Sequence, residues 1–152
     1  MSDQQPVFSI EKIYVKDLSL EIPNAPQVFM TNEAPQLEVQ LTQGVQPLEG
    51  GALYEVTLTV TVTAKAGEKT VFLVEAAQAG IFQIRNVPQT DIDPILGMVC
   101  PNVLFPYARE TVSDTVNRAG FPPVLLAPVN FEGLYQQRLA EQKQGPKIEI
   151  AH

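Results

Sequence analysis

The chain has 152 residues, of which 45% are hydrophobic, and its formal net charge is −7. This length indicates a single domain, and the apolar content is sufficient for a buried core. The acidic charge argues against nucleic acid or an anionic membrane as a partner and favours basic partners. With one cysteine, no signal peptide and no membrane-length apolar run, we expect a cytoplasmic protein without an internal disulfide.

The first half of the chain shows the two-residue alternation of β-strands. The first predicted strand runs from Val7 to Ile22, and its apolar residues change parity twice, which predicts bulges near Glu11-Lys12 and near Lys16. Three further strands follow, around Leu37 to Leu41, Tyr54 to Val62 and Val71 to Phe82. Short turns between the later strands predict an antiparallel sheet with one solvent-exposed face.

Two connections are apolar and bounded by prolines, which is unusual because loops are normally polar. The first, Ile22 to Pro35, has Val28-Phe29-Met30 at its centre. The second, Phe121 to Val129, contains three prolines, which exclude a helix interior and a central strand. Each loop can pack on the chain's own core, or the two can wall a groove for extended apolar peptide. The residues leave both interpretations open.

The second half of the chain has the periodicity of helices. Asp93 and Pro94 are typical of a helix start, and we expect Pro101 to kink or end this first helix. The last helix is predicted to begin after Asn130, a suitable N-cap, and to end at Gly145-Pro146. Strands followed by helices indicate the α+β class.

Between these two helices the sequence predicts a longer amphipathic helix from Val103 to Ala119. Tyr107, Thr111 and Thr115 lie beside its apolar stripe and widen a face that oligomerisation would bury. Gly120 occupies the position where a left-handed residue commonly ends a helix.

Groups suited to catalysis are scarce. The sole histidine is the terminal His152, which removes the usual general base and zinc ligand, and no phosphate-binding or nucleophile motif is present. We interpret Cys100 as buried and inert. Asp91 and Asp93 are read as helix-start carboxylates in preference to a cation site. We therefore expect neither an enzyme nor a cofactor.

Acidic residues fall on the strand faces opposite the best apolar sets. They are Asp17, Glu21 and Glu75, and Leu73 shares the parity of Glu75. This face is either ordinarily solvated or a docking surface for a basic partner, which charge would steer and Leu73 would contact.

Several strings of residues resemble the SecB family of bacterial protein-export chaperones. They are Cys100 to Glu110 (CPNVLFPYARE), Leu126 to Phe131 (LAPVNF), Tyr14 to Glu21 (YVKDLSLE), Pro23 to Pro26 (PNAP) and Gly80 to Phe82 (GIF). Together the resemblance covers roughly Phe8 to Leu139, and strings this long make it specific.

The resemblance implies a four-stranded antiparallel sheet with helices packed on one face, assembling as a homotetramer that is a dimer of dimers. The chaperone domain would cover residues 7–144, between flexible tails at 1–6 and 145–152. Such a chaperone holds unfolded secretory precursor proteins in the cytoplasm without ATP, keeps them competent for translocation and passes them to SecA, the motor ATPase of the translocase. No cofactor is implied. The runner-up is a non-catalytic adaptor that recognises one basic partner through the acidic sheet face.

The resemblance also implies two sets of site residues. The SecA-docking residues of the family carry over onto Asp17, Glu21, Leu73 and Glu75. The client groove lies between the crossover loop and the final helix, beside the second strand. Placed by region, its residues are Val28, Phe29, Leu37, Val39, Leu41, Phe121, Leu125, Leu134 and Tyr135.

Overall fold

A computed structural model of the chain describes residues 5–144. Among these residues, four strands form one antiparallel sheet: β1 (Val7–Glu21), β2 (Gln36–Pro47), β3 (Leu53–Ala66) and β4 (Lys69–Arg85). The sheet order is β1-β4-β3-β2, so β1 and β2 are the two edges. Residues 1–4 of the predicted N-terminal tail, and all of the predicted C-terminal tail, lie outside the described residues.

Both predicted bulges of β1 are confirmed. Its register against β4 shifts between Ile10 and Lys12 and again between Val15 and Asp17. Each bulge adds one residue to β1, so apolar residues of both parities reach the same face of the sheet. Those residues are Phe8, Ile10, Ile13, Val15, Leu18 and Leu20.

The helices cover one face of the sheet, and the other face, which we call the outer face, carries the threonines of β3. On the helix-covered face, Val56, Leu58, Val60 and Val62 of β3 are fully buried. The alternation that predicted this strand therefore reflects one dry and one wet side.

The helical half is one nearly continuous run followed by a loop and a final helix. It consists of α1 (Gln89–Pro94), a π-helical turn (Ile95–Val99), α2 (Cys100–Arg118) and, after the loop, α3 (Phe131–Gln144). The prediction that Asp93 begins the first helix is wrong, because α1 begins four residues earlier. The Asp93 carboxylate instead accepts a hydrogen bond from the Tyr135 hydroxyl of α3.

The sequence also predicted that Pro101 kinks or ends the first helix. The prediction of an end is wrong. Pro101 lies in the first turn of α2, and the helical run continues through it from Val99. The π-helical turn immediately before it changes the hydrogen-bond pattern, since the Cys100 N–H donates to the carbonyl of Ile95.

The apolar stripe of α2 packs on β3 and β4. Leu104, Ala108, Val112 and Val116 are fully buried there. Tyr107 is exposed as predicted, but Thr115 is buried and the Thr111 hydroxyl donates to Gln78 Oε1 at 3.0 Å. The two threonines therefore face the sheet and do not widen an exposed face.

The predicted helix boundaries near the final loop are confirmed. Gly120 follows the end of α2 with φ +97°, the left-handed conformation that glycine adopts without strain. Asn130 caps α3, because its Oδ1 accepts the Gly133 N–H at 3.0 Å.

Candidate functional site

Strand β2 leaves apolar side chains uncovered on the helix side of the sheet. Leu37 and Val39 are 48% and 45% exposed, although their partners in β3, Ala64 and Val62, are fully buried. Leu41 is half-buried. We call the strip formed by these three β2 residues the β2 groove.

The crossover loop from β1 to β2 lies at one end of the β2 groove. Its 3₁₀ turn (Gln27–Met30) contains Phe29, whose ring stacks on Phe121 with 5.0 Å between centroids. Phe121 in turn lies 5.0 Å from the ring of the buried Phe72. The two apolar loops therefore meet, and Phe121 ties them to the core.

The same loop is attached to the β3–β4 hairpin. Asn24 Nδ2 donates to the carbonyl of Thr70 at 2.9 Å. Between loop and hairpin lies an open cavity of about 500 Å³, with Val28 and Val71 among its lining residues. Of the predicted groove residues, Val28, Phe29 and Phe121 belong to this end.

The second apolar loop packs on the core through some of its side chains and exposes others. Val124 and Leu126 are buried and pack into the core. Leu125, between them, is 83% exposed. Because the backbone alternates here as an extended chain does, Leu125 points away from the core between its two buried neighbours.

Helix α3 lies at the other end of the β2 groove. The ring of Tyr135 is buried against Gly97 of the π-helical turn, and its hydroxyl donates to Asp93 Oδ2 at 2.8 Å. This hydrogen bond raises the pKa of Tyr135. A cavity of about 290 Å³ separates α3 from Gln43 and Val45 of β2. Tyr135 thus anchors α3, whereas Leu134 is exposed.

The predicted docking residues are neighbours on the outer face. Glu21 pairs with Leu73 and Ser19 pairs with Glu75, while Asp17 lies opposite Ala77. The three carboxylates are exposed and Leu73 is half-buried. We call Asp17, Glu21, Leu73 and Glu75 the acidic patch. Its role in docking stays a prediction.

A second cluster of polar side chains on the outer face was not predicted from the sequence. Glu55 of β3 accepts a hydrogen bond from Lys16 Nζ at 2.8 Å on Oε1 and another from the Tyr14 hydroxyl on Oε2. These bonds cross β4 at a place where the small Ala79 pairs with Tyr14. The bonds from Lys16 and Tyr14 lower the pKa of Glu55, and burial followed by the bond to Glu55 raises the pKa of Tyr14 to about 12.

Cys100 is fully buried, as predicted, and burial raises the pKa of its thiol to about 12. Within residues 5–144, no three histidine, cysteine or acidic side chains are grouped so that they would hold a metal ion. Of the helices described, none is both long and apolar enough to cross a membrane.

The family model of SecB, described as preprotein translocase subunit SecB, matches residues 1–142. The protein-export protein SecB of Chromobacterium violaceum is 67% identical over 147 residues, covering 95% of this chain and 97% of that protein. Its counterpart from Neisseria meningitidis serogroup B is 58% identical over 147 residues, covering 95% and 99%.

A solved structure shares the fold. It is the SecB-like chaperone of Mycobacterium tuberculosis in complex with a peptide from an antitoxin, with a TM-score of 0.67, 16% identity, and coverage of 80% of this chain and 90% of that one. The family model and the curated relatives place the chain in the class of protein-export chaperones. The chain belongs to the SecB family of protein-export chaperones.

Proposed function

We propose that this chain holds unfolded secretory precursor proteins in the cytoplasm, without ATP, in the β2 groove. The observation that carries the proposal is the exposure of Leu37 and Val39 on the helix side of an edge strand, between the crossover loop and α3. Removing apolar surface from water contributes on the order of 25 cal/mol per Å², without regard to side-chain identity. Such a groove suits clients of many sequences. The peptide complex of the M. tuberculosis chaperone supports peptide binding by this fold.

The experiment is an aggregation assay on an unfolded precursor, followed by light scattering without nucleotide. Wild-type protein should slow aggregation, and Leu37→Ser with Val39→Ser should weaken this effect. Gln40→Ser is the matched control, because Gln40 pairs with Thr61 and lies on the outer face of the same strand. Equal protection against aggregation by wild type, the double variant and Gln40→Ser would contradict the groove assignment. No protection by wild type would contradict the holding function.

We further propose that SecA docks on the acidic patch and receives the client there. The support is the shared exposure of Asp17, Glu21 and Glu75 beside Leu73, since carboxylates at the rim of an interface steer basic partners. Asp17→Ala, Glu21→Ala or Glu75→Ala should weaken SecA binding and make it less sensitive to salt, while client holding is retained. Wild-type binding by these variants would mean that the patch is only solvated.

The proposed assembly is a homotetramer, a dimer of dimers. Its support is the apolar surface that one chain leaves exposed on the helix side of β1 and on α2. The large side chains in question are Phe8, Ile10, Val15, Leu18, Leu20 and Tyr107. Contiguous exposed apolar surface of this kind is characteristic of interaction sites.

The alternative function, an adaptor for one basic partner, depends on the acidic patch alone. It would replace the holding function if wild-type protein left precursor aggregation unchanged while the three alanine variants still lost partner binding.

A further inference from the structure

A positive charge lies next to the acidic patch. Lys16 is the residue that the second bulge adds to β1, and the following residue, Asp17, belongs to the patch. Lys16 bonds to Glu55, which is flanked along β3 by Tyr54 and Val56 of the helix-covered face and so lies on the outer face. Lys16 and Asp17 therefore share the outer face, where a lysine with a flexible four-carbon stem would be expected to pair with the carboxylates beside it.

The structure directs Lys16 elsewhere. Its ammonium group lies 2.8 Å from Glu55 Oε1, and the second oxygen of Glu55 accepts the Tyr14 hydroxyl. The Glu55 side chain is only 12% exposed, against 47% for Lys16. Water screens a carboxylate covered to this extent less than an exposed one, so its attraction for a cation at 2.8 Å is stronger.

We propose that Glu55, oriented by Tyr14, holds Lys16 away from the acidic patch and so keeps Asp17, Glu21 and Glu75 available to a basic polypeptide segment. Glu55 and Tyr14 are then positioning residues for a partner that they need not touch. This inference rests on the proposed docking function. It adds that the strength of the acidic patch depends on a lysine held by a third strand.

Four variants test the role of Glu55 by a double-mutant comparison. They are Glu55→Gln, Lys16→Met, the two combined, and the control Glu38→Gln. Glu38 pairs with Thr63, so it is an exposed outer-face carboxylate on β2 whose loss changes net charge equally. The probes are SecA and a fluorescent decalysine peptide, with binding measured by anisotropy at low salt.

Glu55→Gln should weaken binding of both probes by about fivefold, the upper end for a surface charge pair, because the released Lys16 neutralises the patch. Lys16→Met should bind at least as tightly as wild type. In the Lys16→Met background, Glu55→Gln should weaken binding less than about twofold. The control Glu38→Gln, made in the wild-type protein, should weaken binding about as little. Recovery in the double variant also shows that Glu55→Gln does not act by unfolding the sheet.

An equal loss from Glu55→Gln in both backgrounds would overturn the inference, because the effect would then be one of net charge alone. No loss in either background would overturn it as well. Failure of the docking proposal would give a different result. SecA would then bind the Asp17→Ala, Glu21→Ala and Glu75→Ala variants as tightly as wild type. Decalysine, which needs only the negative patch, would still report the effect of Glu55.

Discussion

The burial of Cys100 makes its thiol unreactive. Burial raises the pKa of its thiol from 9.0 to about 12, which lowers the thiolate fraction at neutral pH by roughly a thousandfold. We predict that a disulfide reagent such as Ellman's reagent leaves the native protein unmodified at pH 8 and titrates one thiol in guanidinium. Rapid labelling of the native protein would contradict this.

The same shift has a consequence for stability. The native state holds the Cys100 proton more tightly than the unfolded state, so the stabilisation is complete below pH 9 and is lost as pH rises toward 12. The raised pKa of Tyr14 acts in the same direction from pH 10 upward. The free energy of unfolding, measured by urea titration, should therefore fall between pH 9 and 11. Cys100→Ser provides the comparison.

Gly80 of β4 is required by packing. A Cβ at this position would lie 2.9 Å from Phe82 Cε1, 3.1 Å from Leu104 Cδ2 and 3.1 Å from the Lys12 carbonyl oxygen. We predict that Gly80→Ala costs about 1–3 kcal/mol of unfolding free energy, the usual range for overpacking. Gly44→Ala is the control in β2, because a Cβ there meets nothing within 4 Å. Equal stability of the two variants would show that the core yields at Gly80.

At the scale of elements, two buried rings hold α3, Phe131 against Phe105 and Tyr135 against the π-helical turn. Tyr135 is wedged against Gly97, and its hydroxyl bonds to Asp93. Tyr135→Phe should cost about 0.5–1.5 kcal/mol locally and speed hydrogen exchange in α3, with little change in the sheet. Gln136→Ala, at an exposed position of the same helix, is the control. Unchanged exchange in α3 would show that the packing of the Tyr135 and Phe131 rings holds the helix without this hydrogen bond.

The strands could be predicted where apolar residues occupy alternate positions, because alternate positions lie on the same face of the sheet. Both bulges of β1 could be located in this way, since each shift of parity requires one added residue. The start of α1 was not predictable from Asp93, because an aspartate before a proline looks like a cap whether or not its carboxylate is used elsewhere.

The cluster at Glu55 was beyond prediction for another reason. Its partners lie 39 and 41 residues away in the sequence and on a strand that is not adjacent in the sheet. Only the register of β4 between them brings the three side chains together. The groove was predictable as a region, but which side chains of its loops face outward depends on tertiary packing, as Leu125 and its buried neighbours show.

At the scale of the whole molecule, the exposed apolar side of β1 predicts self-association. Sedimentation at micromolar concentration should give a tetramer. Ile10→Ser with Leu18→Ser, which removes two side chains exposed by 48% and 46%, should shift the distribution to smaller species. Thr42→Ser on the outer face of β2 serves as the control. A stable wild-type monomer would contradict the proposed assembly.

The bulges of β1 also determine where this strand tolerates a change of length. Deleting Glu11 or Lys16 would remove one bulge and restore alternation at that place, because the residues on either side of it already alternate between the two faces. A deletion at Ser19 would instead exchange the faces of every residue beyond it. Natural insertions and deletions in this strand are therefore expected at two positions, and one of them is the lysine that Glu55 holds.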